Sequence, residues 1–167
     1  MNLRVLGIDP GTAIVGYGLV GYDGQNFECL EHGVVRTSSE LPLSERLLRI
    51  NRELAALIAR LHPDHVAVEE LFFSKNAKTA LAVGHARGVI LLTIAESGRR
   101  VYEYKPMQIK QALVGYGGAD KLQIQTFLTM MLGLESVPKP DDAADALAVA
   151  LCHCSSYRLN QLAEQAR

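Results

Sequence analysis

At 167 residues, 49% hydrophobic and 21% charged with a net charge of −1, the chain reads as one globular domain over 1–167. It lacks the whole-molecule basic field of a general polyanion binder, and its most apolar run, GVILLTIA, is too short to span a bilayer. Cys29, Cys152 and Cys154 cannot all pair internally, which points to a reducing compartment and a cytoplasmic protein.

The first strand is LRVLGID, a short apolar run stopped by Asp9 and a Pro-Gly turn. AIVGYGLVGYDG and NFECLEHGVVRTSS follow at hairpin distance around DGQN, so three consecutive strands form an antiparallel meander. Apolar residues at 43, 47, 50, 54, 57, 58 and 61 predict a helix over 43–61, with Arg46, Arg49, Arg52, Glu53 and Arg60 on its other side. HVAVEELFF (65–73) is a fourth strand, 76–97 a long helix ending at Gly98, and RRVYEYKP (99–106) a fifth strand. Helices over 107–114 and 121–132 flank GYGGAD, and a last helix runs from about 141 to 165.

This order predicts an α/β fold, a five-stranded mixed sheet with helices on both faces. Strands joined through helices are expected to be parallel neighbours, with the site beyond their carboxyl ends. Charge is uneven along this frame. Residues 71–125 hold eight basic against three acidic side chains, and the remainder holds nine against fifteen. A basic middle beside carboxylates suits a protein that grips phosphates and holds cations near them. The CHC run at 152–154 is not read as a zinc site. On a helix, positions i and i+2 diverge by about 200°, and no second ligand pair lies nearby.

Three places concentrate carboxylates. Asp9 ends the first strand, where an Asp can also cap the following turn. Alternation along the fourth strand puts Glu69 and Glu70 on opposite faces, and a buried strand tolerates a carboxylate poorly without a partner or a metal. In PKPDDAADALAVAL, Asp141 and Asp142 suit the positive end of a helix dipole, whereas Asp145 lies a turn further in among alanines. Asp145 is about 40° from Asp141 and about 60° from Asp142 around the helix, so spacing alone does not choose its partner. Converging carboxylates would repel one another and partly protonate, so such a cluster implies a hard divalent cation.

The segments GIDPGTAIVGYGLV, VAVEELFFSKNAKTALAVGHARG, QIKQALVGYGGADKLQIQ and DDAADALAVALCHC, in this order, resemble the RuvC family of bacterial Holliday junction resolvases. The resemblance implies a ribonuclease H-like fold and a structure-selective endonuclease. Such an enzyme nicks four-way junction DNA symmetrically in homologous recombination and repair, leaving 5′-phosphate and 3′-hydroxyl ends. It implies Asp9, Glu69, Asp142 and Asp145 as catalytic metal ligands for two Mg²⁺ per subunit, with Mn²⁺ as a substitute, and Lys110 and Lys121 as catalytic cations. DNA contacts are expected at Phe72, Phe73, Lys75, Lys78, Arg87 and Lys105. A homodimer is implied too, with Ala80, Gly84 and Gly88 as a close-packing stripe, as are the branch-migration partners RuvA and RuvB. Two other classes share features of the chain. An actin-like phosphotransferase shares the GIDPGT opening but needs a second domain and phosphate loop. A non-catalytic branched-DNA module needs no set of four acids.

Overall fold

The computed structural model describes residues 3–70 and 77–165. In chain order the elements are β1 (Leu3–Asp9), β2 (Ile14–Tyr22), β3 (Phe27–Arg36), α1 (Leu43–Leu61), β4 (His65–Glu69), α2 (Ala77–Glu96), β5 (Val101–Tyr104), α3 (Pro106–Val114), α4 (Lys121–Met131) and α5 (Asp141–Gln165). The sheet order is β3-β2-β1-β4-β5, with β1, β2 and β3 antiparallel and β4 and β5 parallel to β1. Asp23 builds the β2–β3 turn, its Oδ1 accepting from the backbone N–H of Gln25 and of Asn26.

Two expectations about strands need correction. β4 ends at Glu69; Glu70 lies outside it, although its N–H still bonds to the Tyr104 carbonyl at 2.8 Å, and 71–73 lie outside the described residues. In addition, β3 and β4, joined through α1, are not neighbours. β3 alternates between exposed and half-buried residues over most of its length, as suits a sheet edge. β4 is buried at Val66, Ala67 and Val68, and pairs instead with the free edge of the equally buried β1.

Helices cover both faces. On one, Leu6, Ile8, Val15, Leu19, Val66 and Val68 meet Ile50, Leu54 and Ile58 of α1 and Ala86, Ile90 and Ile94 of α2. The other holds α5, with Ile109, Leu113 and Leu128 of α3 and α4. On this face β1 and β2 present Gly7, Gly16 and Gly18, and a Cβ at any of them would run into α5: the Ala146 carbonyl, the Asp142 carbonyl and the Leu147 side chain, respectively. The bare groove lets α5 lie close to the sheet, which explains its alanines and its near-complete burial from Ala146 to Cys154. Among the described residues no helix is long and apolar enough to cross a membrane.

The CHC run is structural. Cys152 and Cys154 are buried thiols, each pushed up to about 12 by burial. The His153 ring is held between His65 (Nδ1 to Nε2, 2.9 Å) and the Tyr104 hydroxyl (2.7 Å to Nδ1). His153 is 2% exposed, and burial, then His65, lowers it to about 4. A histidine with a depressed folded pKa favours the native state above its unfolded value of about 6.5. That contribution is lost as pH falls from there toward 4. Wild-type stability should therefore drop between pH 6.5 and 4 by up to roughly 3 kcal/mol more than that of His153→Phe. Urea unfolding at both pH values checks this; equal slopes for the two proteins would refute it.

Candidate active site

Strand alternation sends Leu3, Val5, Gly7 and Asp9 to the face that α5 covers, so Asp9 ends β1 pointing at the start of that helix. Ile8 pairs with Val68, which places Glu69 beside Asp9 on the adjacent parallel strand. Asp142 and Asp145 enter from the first two turns of α5, held down by the glycine groove at Gly16. Burial pushes the Asp9 carboxyl up to about 8, helped by the charges of Glu69, Asp145 and Asp142 and by a hydrogen bond to Glu69. Glu69 is raised by burial and by Asp145. Asp145 is also raised, chiefly by burial, with Lys121 acting against it. Three separate elements thus bring four carboxylates within electrostatic reach of one another.

As they stand, these side chains are arranged in pairs, Asp9 with Glu69 and Asp145 with Lys121. Among the described residues, no three His, Cys, Asp or Glu side chains already surround one point as ligands. The donor set still fits a hard divalent cation. It is anionic, oxygen-only and half-buried, and its raised carboxyls, pushed up first by burial and then by one another's charge, are those a cation would relieve.

A cavity of about 220 Å³ opens beside the acids, lined by Glu69, Pro106, Ile109, Lys110, Lys121, Ile124, Asp145 and Ala148. Lys110 and Lys121, from different helices, therefore share one space with two of the acids. Lys121 is the first residue of α4, where a cation opposes the helix dipole. Asp120 compensates: its Oδ1 accepts from the Gln123 N–H, and the Gln123 side-chain oxygen accepts from the Asp120 N–H. This capping box fixes where Lys121 emerges.

Asp141 reads from the sequence as a helix-dipole residue and as one of two possible partners of Asp145, and its position shows more. Its carboxylate lies 3.0 Å from Lys121 Nζ and 3.0 Å from Lys139 Nζ, which hold it below the usual range. Lys121 stands 3.6 Å from Asp145. Such exposed pairs add little stability, so their effect is to aim Lys121. Of the two aspartates left open by spacing, Asp141 is thus occupied by lysines, whereas Asp142 is among the charges acting on Asp9.

The remaining expected DNA contacts are spread more widely. Lys105 is exposed just before Pro106 of the cavity wall. Arg87 is not a free cation, being ion-paired with Glu103 across from α2 to β5. Phe72, Phe73 and Lys75, and the side chain of Lys78, lie outside the described residues. Arg46 departs from the exposed face expected for it. Its Nε donates to Thr37 Oγ1 at 2.9 Å, turning it toward the loop after Asp9.

A meander extended by parallel strands, with acids at the ends of β1 and β4 facing a helix-borne pair, defines a ribonuclease H-like nuclease fold. Residues 5–153 match the family described as crossover junction endodeoxyribonuclease RuvC. The chain is 52% identical over 158 residues to the crossover junction endodeoxyribonuclease RuvC of Alkaliphilus oremlandii, covering 95% of this chain and 96% of that one. Among solved structures, RuvC of Thermus thermophilus aligns with a TM-score of 0.88 at 40% identity, covering 95% and 97% of the two chains. The same bacterium's RuvC in complex with Holliday junction substrate gives 0.86 at 39% identity, covering 94% and 96%. The chain belongs to the RuvC family of crossover junction endodeoxyribonucleases.

Proposed function

We propose that the chain is a cytoplasmic, divalent-metal-dependent endonuclease that resolves Holliday junctions by paired symmetric nicks. The observation that carries this reading is the set of four carboxylates at the ends of β1, β4 and the start of α5, with Asp9 pushed up to about 8 by burial and its three neighbours. Asp9, Glu69, Asp142 and Asp145 would hold Mg²⁺, two ions per subunit, with Mn²⁺ able to substitute. When bound, such ions activate water and stabilise the leaving oxygen of a phosphodiester, giving 5′-phosphate and 3′-hydroxyl ends.

The chain's own groups supply the rest. Lys110 and Lys121 offer cations to the scissile phosphate from the cavity wall, and Asp141 keeps Lys121 from swinging into solvent. Lys121→Ala should lower single-turnover cleavage about ten- to a hundredfold while changing junction affinity less than about threefold. Asp141→Asn should give a smaller loss in the same direction. Unchanged cleavage rates for both variants would exclude the role assigned to Lys121.

Two nicks on a two-fold substrate suit a two-fold dimer. Leu81 (64% exposed), Gly84, His85, Gly88 and Leu92 (56% exposed) line one solvent face of α2, and a Cβ on either glycine would meet open space. A second copy packing its α2 on this stripe would cover both leucines, and the glycines would permit close approach. Gly88→Arg should sediment as a monomer and nick junctions singly; a dimeric Gly88→Arg protein making paired cuts would place the interface elsewhere. RuvA and RuvB are proposed as partners that deliver the junction.

A further inference from the structure

The acids and lysines occupy one side of the start of α5. On the other side, Asp142 borders a second cavity, of about 530 Å³, that the mechanism above does not use. Its wall consists of Gly11, Thr12, Ala13 and Ile14 from the β1–β2 turn, Arg46 of α1, and Ala82 and Val83 of α2. Two of these groups carry unused polar capacity.

Thr12 is 8% exposed, and its hydroxyl has no hydrogen-bond partner among the described residues. A buried hydroxyl left in this state is uncommon and calls for a ligand or another explanation. Arg46 has no carboxylate partner among the described residues, although Arg49 and Arg60 on the same helix are both ion-paired. Its guanidinium is oriented all the same. Thr37 accepts from Arg46 Nε at 2.9 Å and donates its own hydroxyl to the Thr12 carbonyl at 2.5 Å, while the Thr37 N–H bonds to the Ala13 carbonyl at 2.9 Å. One threonine therefore fixes both the turn carrying Thr12 and the arginine facing it. Nε is committed by that bond, leaving the guanidinium's terminal N–H groups as donors.

We infer that this cavity is a backbone-phosphate subsite, in which Arg46 and the Thr12 hydroxyl bind a DNA phosphate flanking the scissile one. An oriented guanidinium with a buried hydroxyl matches an oxyanion better than an apolar ligand or a base edge. The shared wall residue Asp142 puts the subsite next to the cleavage centre, which favours a neighbouring phosphate on the cut strand over a free anion. Gripping the strand there would hold the scissile bond in line rather than contribute affinity alone.

This inference rests on the junction-cleaving reading, and the experiment separates the two. A synthetic four-way junction carries a neutral methylphosphonate at each phosphate near the cut in turn. Single-turnover cleavage and junction affinity are measured for wild type, Arg46→Gln, Arg46→Lys and Thr12→Val. In wild type, neutralising one flanking phosphate should slow cleavage about tenfold. Arg46→Gln should be slow on the unmodified junction and insensitive at that one position, and Arg46→Lys should recover part of both effects. Thr12→Val should cleave more slowly without any fall in Tm, because it deletes a hydroxyl that the fold itself leaves unbonded. A slow Arg46→Gln protein that keeps the full wild-type pattern of methylphosphonate sensitivity would show a merely structural arginine and overturn the subsite. Wild-type speed in both Arg46→Gln and Thr12→Val would overturn it as well. If wild type fails to cut the unmodified junction, the junction-cleaving reading fails instead. The same position-specific coupling, read in affinity, then decides the subsite.

Discussion

Asp9→Asn should bind four-way junctions within about twofold of wild type and cleave them at least about a thousandfold more slowly. Asp9 is the carboxyl on which the other three act, since Glu69, Asp145 and Asp142 all raise it. Asparagine keeps the shape and most of the hydrogen bonding but removes the charge, so an effect on cleavage without one on binding isolates the electrostatic role. A second readout separates this from simple damage. A carboxyl whose folded pKa is raised to about 8 supports the fold fully below its unfolded value near 3.8, and that support is lost as pH rises through 8. In chelator, Asp9→Asn should therefore be more stable than wild type at pH 8 and about equal to it at pH 4. The gain in Tm should be about 2–4 °C for each kcal/mol of repulsion relieved. Mg²⁺ should raise the Tm of wild type more than that of the variant. Asp9→Asn with lower stability in chelator at pH 8 would mean that the cluster is not strained as described.

Gly7→Ala and Gly16→Ala should both fail in ways no exposed glycine would. At Gly7 the new methyl would collide with the Ala146 carbonyl and lie 2.7 Å from the Ala150 nitrogen, both backbone atoms of a buried helix that cannot turn aside. Overpacking of this kind costs about 1–3 kcal/mol, and backbone obstacles put Gly7→Ala at the upper end. At Gly16 the methyl would meet the Asp142 carbonyl and carbonyl carbon, so the start of α5 must lift from the sheet, carrying Asp142 with it. Gly16→Ala should thus lose more cleavage than stability, and Gly7→Ala more stability than cleavage. Urea titration with single-turnover cleavage tests the split. If both variants keep wild-type values, α5 is not set on the sheet by these glycines.

These glycines also mark where the sequence stopped being readable. Apolar periodicity places α1 over 43–61, because that helix buries one face and repeats accordingly, and the other helices are bounded by glycines, prolines and long apolar runs. The acids at strand ends could be picked out because a carboxylate closing an apolar run is costly without a purpose. Gly7, Gly16 and Gly18, however, carry no local signal of their role. Their function lies in their distance from a helix some 130 residues later, which no local pattern encodes. The same holds for Asp141, whose partner Lys121 lies on another helix, and for Arg46, which helical spacing assigned to a solvated face and Thr37 turned inward. The β3–β4 separation was missed for a related reason: chain order names a parallel connection, but burial on both faces decides which strand fills the centre.

The most direct test is cleavage of an end-labelled four-way junction by wild type and Asp9→Asn, in Mg²⁺ and in chelator. Paired nicks at symmetric positions should appear for wild type in Mg²⁺ and in no other lane. Comparable nicking in chelator, or by Asp9→Asn in Mg²⁺, would contradict a metal-dependent nuclease centred on Asp9.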